Sequence, residues 1–408
     1  MSPIAVLKFG GTSVADPEKI SLAAERAIEF RRKGFRVAVV VSAPGDMTDD
    51  LIGLAQRVAP EPDPRELDHL MSTGEIVGVS LFAMACRAKG AAAVSLSGPQ
   101  AGFRCEGDPT VSTITAIRPA RLLREMAAGN IVTVAGFQAL APSGDVATLG
   151  RGGSDLSAVA LAAVLKAARC EIFTDVKGVY TADPRLVPDA AKLGRISYAE
   201  MLELSGAGAQ VMLARSIEVA QRYGVRLHVR SAFQPVEGTW IDEPPEDAME
   251  KAHVSSLAHD AGEVRLTIAG VPDRPGIAAK VLAALADKGI PIDMIVQSSP
   301  TTAGLNDISF MCPRGNGQAA RAALALAAKK LGARGVELQE DVVKITAVGT
   351  GFRRSPKVAA LMFATLAEKR VNIEMISTSD LKICCVVQKR HAEGALRALH
   401  KAFKLGRG

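Results

Sequence analysis

Three glycine-containing clusters hold the residues whose types and spacing could do chemistry. The first is Lys8 with Gly10 and Gly11, directly after an apolar run. Adjacent glycines let backbone N–H groups approach an anion closely, and a lysine at the end of a strand adds a point charge. The cluster predicts a phosphate site, although a tight strand-to-helix turn would give the same pattern. The sequence contains no GxxxxGK[ST] motif, which excludes a P-loop protein.

The second cluster, residues 148–155, places Arg151 among three glycines and ends in Ser154 and Asp155. An arginine can form two parallel hydrogen bonds to a carboxylate, and a glycine-rich turn before a helix favours anions. Ser154 or Asp155 could instead be a simple helix N-cap. A cap accounts for one residue and leaves the three glycines unexplained, so this cluster predicts an anion site.

The third cluster begins with Thr174 and Asp175 and continues through Tyr180 to Arg185. Its polar groups, at the end of a strand-like run, could bind the ribose and phosphates of a nucleotide. The alternative is a solvent-exposed loop in which an Asp-Pro pair forms a turn.

The elements that position these clusters alternate between strand and helix. Ile4–Phe9 and residues 36–42 are apolar on both faces, which is typical of strands inside a sheet covered by helices. Asp16 and Pro17 predict the start of a helix. This alternation predicts a three-layer α/β sandwich with a largely parallel sheet. Further predicted strands are residues 91–96, 131–136, 171–174 and 227–229, and a further helix is residues 157–168.

The composition changes near residues 234–250, which are rich in proline and acidic side chains and predict a linker. An internal repeat follows, because the same offset separates Pro275 from Pro356 and Ile292 from Ile373. Each copy reads strand, helix, strand, strand, helix, with one more strand in the first copy, which predicts two ferredoxin-like domains. The predicted domains are residues 1–245, 263–340 and 343–408.

Composition narrows the class of protein. The chain has 408 residues, 48% of them hydrophobic and 23% charged, which is typical of a globular protein of two or three domains. The net charge of +6 is not clustered, which argues against nucleic-acid binding.

Six cysteines without a CxxC pair predict reduced, buried thiols. The N-terminus shows no signal-peptide pattern, and apolar runs such as residues 131–140 are shorter than the roughly 18 residues of a membrane span. We therefore expect a cytoplasmic protein without membrane contact.

Taken together, the motifs resemble aspartate kinases, in order and in spacing. The resemblance covers nearly the whole chain. It implies an amino-acid-kinase fold followed by two ACT domains. It also implies transfer of phosphate from ATP to L-aspartate, giving 4-phospho-L-aspartate, the first step towards lysine, threonine, methionine and diaminopimelate. The motifs that carry it are KFGGTS at 8–13, STGE at 72–75, QAG at 100–102, GF at 136–137, TLGRGGSD at 148–155 and TDVKGVYTADPR at 174–185.

The resemblance also implies residue roles. A carboxylate nucleophile is already ionised at pH 7, so the reaction needs no general base. It needs positioning and neutralisation of the transferred group, which Lys8, glycine amides and Mg²⁺ carried mainly by ATP could supply. Asp155 is expected to organise Lys8 and substrate. The residues implied to bind the transferred phosphate are Lys8, Gly10 and Gly11. Those implied to bind the substrate aspartate are Thr48, Glu75, Arg151, Ser154 and Asp155. Those implied to bind the nucleotide are Thr174, Asp175, Tyr180 and Arg185.

The repeat is expected to bind an amino-acid effector and to join chains into a homo-oligomer. Two positions depart from many relatives: Gln210 replaces a lysine that some relatives use near the nucleotide, and Lys357 replaces a glycine in the second copy. Because a lysine effector beside Lys357 would meet a like charge, we expect inhibition by threonine, alone or with lysine assisting, and little inhibition by lysine alone. Met249, after the linker, could start a separate regulatory subunit. The implied effector residues are Asp273, Gly276, Ala278, Gln297, Asn372 and Ile373.

Two alternatives remain open on sequence. One is a kinase of the same fold that acts on glutamate or acetylglutamate. The other is a catalytically silent amino-acid sensor that uses only the repeat. The paired motifs at 148–155 and 174–185, together with the tandem repeat, argue against the first. Retention of four site residues argues against the second: Lys8, Glu75, Arg151 and Asp155.

Overall fold

The computed structural model describes residues 2–209, 211–243, 253–301 and 304–406. Its contacts divide the chain into two compact units. The first contains Met1–Val179, Lys192–Ser205 and Gln210–Ala248, and the second contains Tyr180–Ala191, Gly206–Ala209 and Met249–Gly408. Gln210, Met249 and the last part of the predicted linker, residues 244–250, lie outside the described residues.

The first unit is built on an eight-stranded sheet with the order β10-β12-β11-β9-β1-β2-β6-β3. All pairings are parallel except β11 with β12. The central strand β1 is buried along both faces, as its continuous apolar run predicts. The strands are β1 (Ile4–Phe9), β2 (Arg36–Val41), β3 (Ala93–Leu96), β6 (Ile131–Ala135), β9 (Arg169–Thr174), β10 (Arg195–Ile196), β11 (Leu227–Ser231) and β12 (Thr239–Ile241).

A smaller sheet of order β5-β4-β7-β8 lies in the same unit. Its strands are β4 (Phe103–Glu106), β5 (Thr113–Ile117), β7 (Gln138–Leu140) and β8 (Val146–Thr148). The helices of the unit are α1 (Pro17–Arg32), α2 (Met47–Val58), α3 (Pro64–Ala88), α4 (Gly98–Ala101), α5 (Ala120–Ala127), α6 (Gly153–Val164), α7 (Tyr198–Gly206) and α8 (Ala214–Tyr223). A short 3-10 turn, Gly11–Val14, follows β1.

The predicted mixed α/β fold with a largely parallel sheet is confirmed. Helix α1 begins as expected, with the Asp16 carboxylate accepting from the Lys19 N–H at 2.8 Å and Pro17 in the first turn. The helix predicted at residues 157–168 instead spans Gly153–Val164. It begins earlier because the glycine-rich turn leads directly into the first helical turn. It ends earlier because Lys166 adopts a left-handed conformation, with φ of 47°.

Helix α3 is long and apolar enough to cross a membrane by length and composition, yet half of its apolar window is buried inside the protein. Its buried face includes Met71, Val79 and Phe82, which are the contacts of a core helix.

The second unit contains two four-stranded sheets, each packed with two helices. In the first repeat the strand order is β15-β16-β14-β17. Its elements are β14 (Glu263–Pro272), α9 (Ile277–Ala286), β15 (Asp293–Gln297), β16 (Leu305–Pro313), α10 (Gly317–Leu331) and β17 (Gly335–Gln339). The extra strand expected in this copy is present as β17.

The second repeat has the strand order β13-β18-β20-β19. Its fourth strand, β13 (His253–Asp260), precedes the first repeat in sequence and pairs antiparallel with β18. Thus β13 occupies the place that β17 holds in the first copy. The remaining elements are β18 (Val342–Thr350), α11 (Pro356–Glu368), β19 (Ile373–Thr378), β20 (Lys382–Gln388) and α12 (Lys389–Ala402).

The two repeats of the chain are linked by ion pairs, and the lysine of one of them is buried. The Lys344 ammonium lies 2.8 Å from a Glu263 oxygen and 2.7 Å from an Asp293 oxygen, and Lys344 is 2% exposed. Arg265 of the first repeat pairs with Glu374 of the second at 3.0 Å. Desolvation alone would lower the pKa of Lys344, but its hydrogen bonds to Asp293 and Glu263 outweigh burial and raise it. Loss of either carboxylate would leave a buried charge poorly compensated.

Candidate active site

An ion pair lies at the centre of the candidate site. Lys8, near the end of β1, places its ammonium 2.7 Å from a carboxylate oxygen of Asp155, in the first turn of α6. Both side chains are only 12% exposed, so the pair is well shielded from water. Because β1 is flanked by β2 and β9, the position of Lys8 is fixed on both sides. Asp155 therefore holds the Lys8 ammonium in place at the end of β1.

The turn after Lys8 has no room for side chains. A Cβ atom on Gly11 would lie 2.8 Å from the carbonyl oxygens of Ala43 and Gly45. A Cβ atom on Gly10 would lie 3.2 Å from the Lys8 ammonium. The glycines are needed so that the turn after β1 can pack against the turn after β2 without a side chain crowding the Lys8 ammonium.

Glu75 reaches the same end of the sheet from α3. One of its carboxylate oxygens accepts from the Ala43 N–H at 3.3 Å, and the other is buried without a hydrogen-bond partner among the described residues. Desolvation by burial raises the pKa of Glu75 to about 7, against the opposing effect of that hydrogen bond. Close packing brings the helix there, since a Cβ atom on Gly78 would lie 2.6 Å from the Ser42 carbonyl oxygen. A buried carboxylate with an unused oxygen is suited to a cationic group of a ligand.

The other residues predicted from sequence to bind the substrate aspartate lie on neighbouring elements. Thr48 is half-buried in the first turn of α2. Arg151 is 96% exposed, with its guanidinium 3.8 Å from a carboxylate oxygen of Asp49. Ser154 is buried, and its hydroxyl lies 2.7 Å from the Cβ position of Gly136. The exposed Arg151 side chain is free to turn towards an anion.

The predicted nucleotide residues divide between the two units. Thr174 ends β9, and its hydroxyl donates to the Asp175 carboxylate at 3.0 Å. Both belong to the first unit, whereas Tyr180 and Arg185 belong to the second. Arg185 makes hydrogen bonds of 3.0 and 2.7 Å to Asp183. The contact with Arg185 holds the pKa of the Asp183 carboxyl below its ordinary value.

The predicted effector residues lie at two places in the second unit. Gly276 has φ of 88° and precedes α9, and the nearby Asp273 accepts from Asn306 at 3.2 Å. Gln297 ends β15 and pairs with Ile308. These residues share one end of the first repeat's sheet with the exposed Ala278.

Asn372 and Ile373 directly precede Glu374, which forms an ion pair with Arg265 of β14. Arg265 lies opposite Met311 of β16 in the strand register. Met311 also pairs with Asp293, at the opposite end of β15 from Gln297. Within one chain, the structure therefore does not bring Asn372 and Ile373 to the Gly276 loop.

Sequence reasoning did not identify two residues that support the glycine-rich turn. Asp68 of α3 is buried and binds Thr110 and Thr148. Arg215 of α8 donates to the Leu149 carbonyl at 3.1 Å. The only sequence signal was the spacing of Asp68 and Glu75, which puts two acidic residues on one face of a helix.

Comparison with known proteins agrees with the fold described above. The amino acid kinase family profile matches residues 3–231, and the ACT domain profile matches residues 266–327 and 345–403. An aspartokinase of Mycolicibacterium smegmatis is 45% identical over 99% of this chain and 96% of its own length. An aspartokinase of Thermus thermophilus is 44% identical over 98% and 99%, respectively.

A solved structure is also similar. Aspartokinase III of E. coli, in complex with aspartate and ADP, superposes with a TM-score of 0.82 at 25% identity and covers 98% of this chain and 99% of its own. Family profile, full-length relatives and fold agree, and the chain therefore belongs to the amino acid kinase family, among the aspartokinases that carry ACT domains.

Proposed function

We propose that this enzyme transfers the γ-phosphoryl group of ATP to the side-chain carboxylate of L-aspartate through the site at Lys8, Glu75 and Asp155. The observation that carries the assignment is the shielded Lys8–Asp155 pair, 2.7 Å apart, at the end of β1. It supplies a fixed positive charge next to glycine amides, which is what a transferring phosphoryl group requires.

In this assignment the substrate carboxylate attacks the γ-phosphorus, and the bond to the bridging oxygen of ADP breaks. Lys8 and the amides of Gly10 and Gly11 stabilise the charge on the transferred group. Arg151 and Ser154 bind the carboxylates of aspartate together with Thr48, and Glu75 accepts from its ammonium group. Thr174, Asp175, Tyr180 and Arg185 contact the nucleotide, and Mg²⁺ is carried mainly by ATP oxygens.

The test is turnover of ATP with L-aspartate, glutamate or acetylglutamate, with hydroxylamine trapping the acyl phosphate. We expect the hydroxamate product with aspartate. A product with glutamate or acetylglutamate alone would reassign the substrate. No product with any of the three, from folded protein that still binds an amino acid, would support the silent sensor.

For regulation, we infer that the chain is a homo-oligomer and that threonine binds where ACT domains of different chains meet. The separation of Asn372 and Ile373 from the Gly276 loop within one chain supports a site completed by a second chain. Asp273, Ala278 and Gln297 would bind the effector beside that loop. A separate regulatory subunit starting at Met249 is part of the same hypothesis, as is a cytoplasmic location.

A further inference from the structure

Asp68 is a buried carboxylate in α3 that accepts three hydrogen bonds. One oxygen accepts from the Thr110 N–H at 2.9 Å and from the Thr148 N–H at 3.0 Å, and the other accepts from the Thr148 hydroxyl at 2.5 Å. The side chain is 1% exposed, and no cation lies within ion-pair distance in the part of the chain that the structure describes. The carboxylate therefore relies on donors from two distant segments, and it holds both of them.

Both segments lead to the glycine-rich turn. Thr148 is the last residue of β8 and is fully buried, three positions before Arg151. The Thr148 carbonyl accepts from Ser112 at 3.0 Å, so the residue is held on both sides. Thr110, with φ of 67°, places its carbonyl oxygen 3.3 Å from the Cβ position of Gly150. A left-handed threonine is strained and persists only where its surroundings hold it. Asp68 supplies one of those contacts directly.

The same helix also carries Glu75. Residues seven apart lie on one face of a helix, and both Asp68 and Glu75 are buried on the inner face of α3. One rigid element therefore contacts the Ala43 turn through Glu75 and the Thr148 strand end through Asp68. The position of α3 therefore sets the distance between the Ala43 turn and the Thr148 strand end.

We propose that Asp68 is a positioning residue for the aspartate site. By holding the Thr148 strand end to α3, it fixes the start of the Arg151 turn relative to Glu75. This inference rests on the proposed function, since it takes Glu75 and Arg151 to bind the same substrate. Asp68 itself does not contact the reacting atoms.

The geometry separates Asp68→Asn from Asp68→Ala. The amide oxygen of asparagine can still accept from both N–H groups, and its NH₂ group can donate to the Thr148 hydroxyl, whose own proton can rotate away. Alanine leaves two buried N–H groups without an acceptor. The residue's role as an acceptor can thus be kept while its charge is removed.

The experiment measures KM for aspartate, KM for ATP and kcat in both variants. We expect Asp68→Ala to raise KM for aspartate on the order of ten- to a hundredfold, because misplacement by about 1 Å has effects of that size. KM for ATP should change less than about threefold, and Asp68→Asn should restore most of the loss in aspartate KM.

Two further pairs keep the test informative if Asp68→Ala folds poorly. Thr148→Val removes the hydroxyl donor and should raise aspartate KM, whereas Thr148→Ser keeps the donor and should not. Asp63 caps the same helix by accepting from the N–H groups of Arg65 and Glu66. Asp63→Ala is therefore a matched control that lowers the melting temperature and leaves aspartate KM unchanged.

The inference is overturned if Asp68→Ala and Thr148→Val lower the melting temperature and leave aspartate KM at the wild-type value. It is also overturned if both substrates lose affinity equally. Failure of the proposed function is a different result, because the unsubstituted enzyme would then form no product with aspartate.

Discussion

The pH dependence of aspartate binding should follow the ionisation of Glu75. The site needs Glu75 ionised if it accepts from the substrate ammonium, but burial favours the neutral form and raises its pKa to about 7. Raising the pH from 6 to 8 takes the carboxyl from mostly neutral to mostly ionised. KM for aspartate should therefore fall roughly tenfold over this range.

The same shift has a cost in stability. Below pH 4.5, the ordinary pKa of a glutamate, Glu75 is neutral in both the folded and the unfolded chain, and its contribution to stability is fully present. This contribution is lost as the pH rises through about 7, because the unfolded chain ionises the group more readily than the folded protein does. The difference corresponds to about 3 kcal/mol at most between pH 4 and pH 8. Glu75→Gln, neutral throughout, should avoid this loss and melt higher than the unsubstituted enzyme at pH 8.

Two assays check this reasoning. The first is aspartate KM at pH 6, 7 and 8 for the unsubstituted enzyme and for Glu75→Gln, with ATP KM as the internal control. We expect aspartate KM to depend on pH only in the enzyme that contains Glu75. At pH 8, the Glu75→Gln variant should bind aspartate more weakly than the unsubstituted enzyme. The second is the melting temperature of both proteins without substrate over the same pH range. A flat aspartate profile in the unsubstituted enzyme, or the same slope in both, would refute the assignment.

Three other predictions test the rest of the site and its regulation. Lys8→Ala should lose on the order of 10²–10³ in turnover with the fold intact by circular dichroism, and near-normal turnover would contradict its role. Arg151→Lys should raise aspartate KM and leave ATP KM unchanged, since an ammonium cannot make the two parallel hydrogen bonds of a planar guanidinium. A raised ATP KM with an unchanged aspartate KM would place Arg151 in the nucleotide site. Initial rates with millimolar effectors should show inhibition by threonine and little by lysine alone, whereas strong inhibition by lysine only would reverse the assignment.

One prediction concerns residues outside the described part of the chain. Expression of the intact native gene should give a second, shorter species that begins at Met249, detectable by N-terminal sequencing. A single full-length product would argue against a separate regulatory subunit.

Much of the catalytic fold was predictable because its signals are local. The strand at Ile4–Phe9 follows from a continuous apolar run, and the start of α1 follows from Asp16 and Pro17. Lys8 and Asp155 could be identified as chemically significant, since each lies in a glycine-rich turn between a strand and a helix. Their ion pair could not be derived, because it depends on the parallel register that places β1 beneath the start of α6.

Asp68 shows why supporting residues are harder to predict. Its hydrogen bonds reach residues 42 and 80 positions away. On sequence alone, a buried aspartate and an exposed one in the first turns of a helix look the same. Within the described ranges no cation pairs with it, and the three hydrogen-bond donors around it compensate the buried carboxylate.

The segment Tyr180–Ala191 makes the same point on a larger scale. Sequence places it in one loop with Thr174, but its contacts assign it to the second unit. The Thr181 hydroxyl donates to the Leu405 carbonyl at 3.0 Å and lies 3.0 Å from Nε2 of His400, which must then carry the proton. These partners are more than 200 positions away, and no local pattern encodes them. Any movement of α12 would act on this loop directly through buried hydrogen bonds, so the part of the predicted nucleotide site that contains Tyr180 is structurally tied to the regulatory repeat.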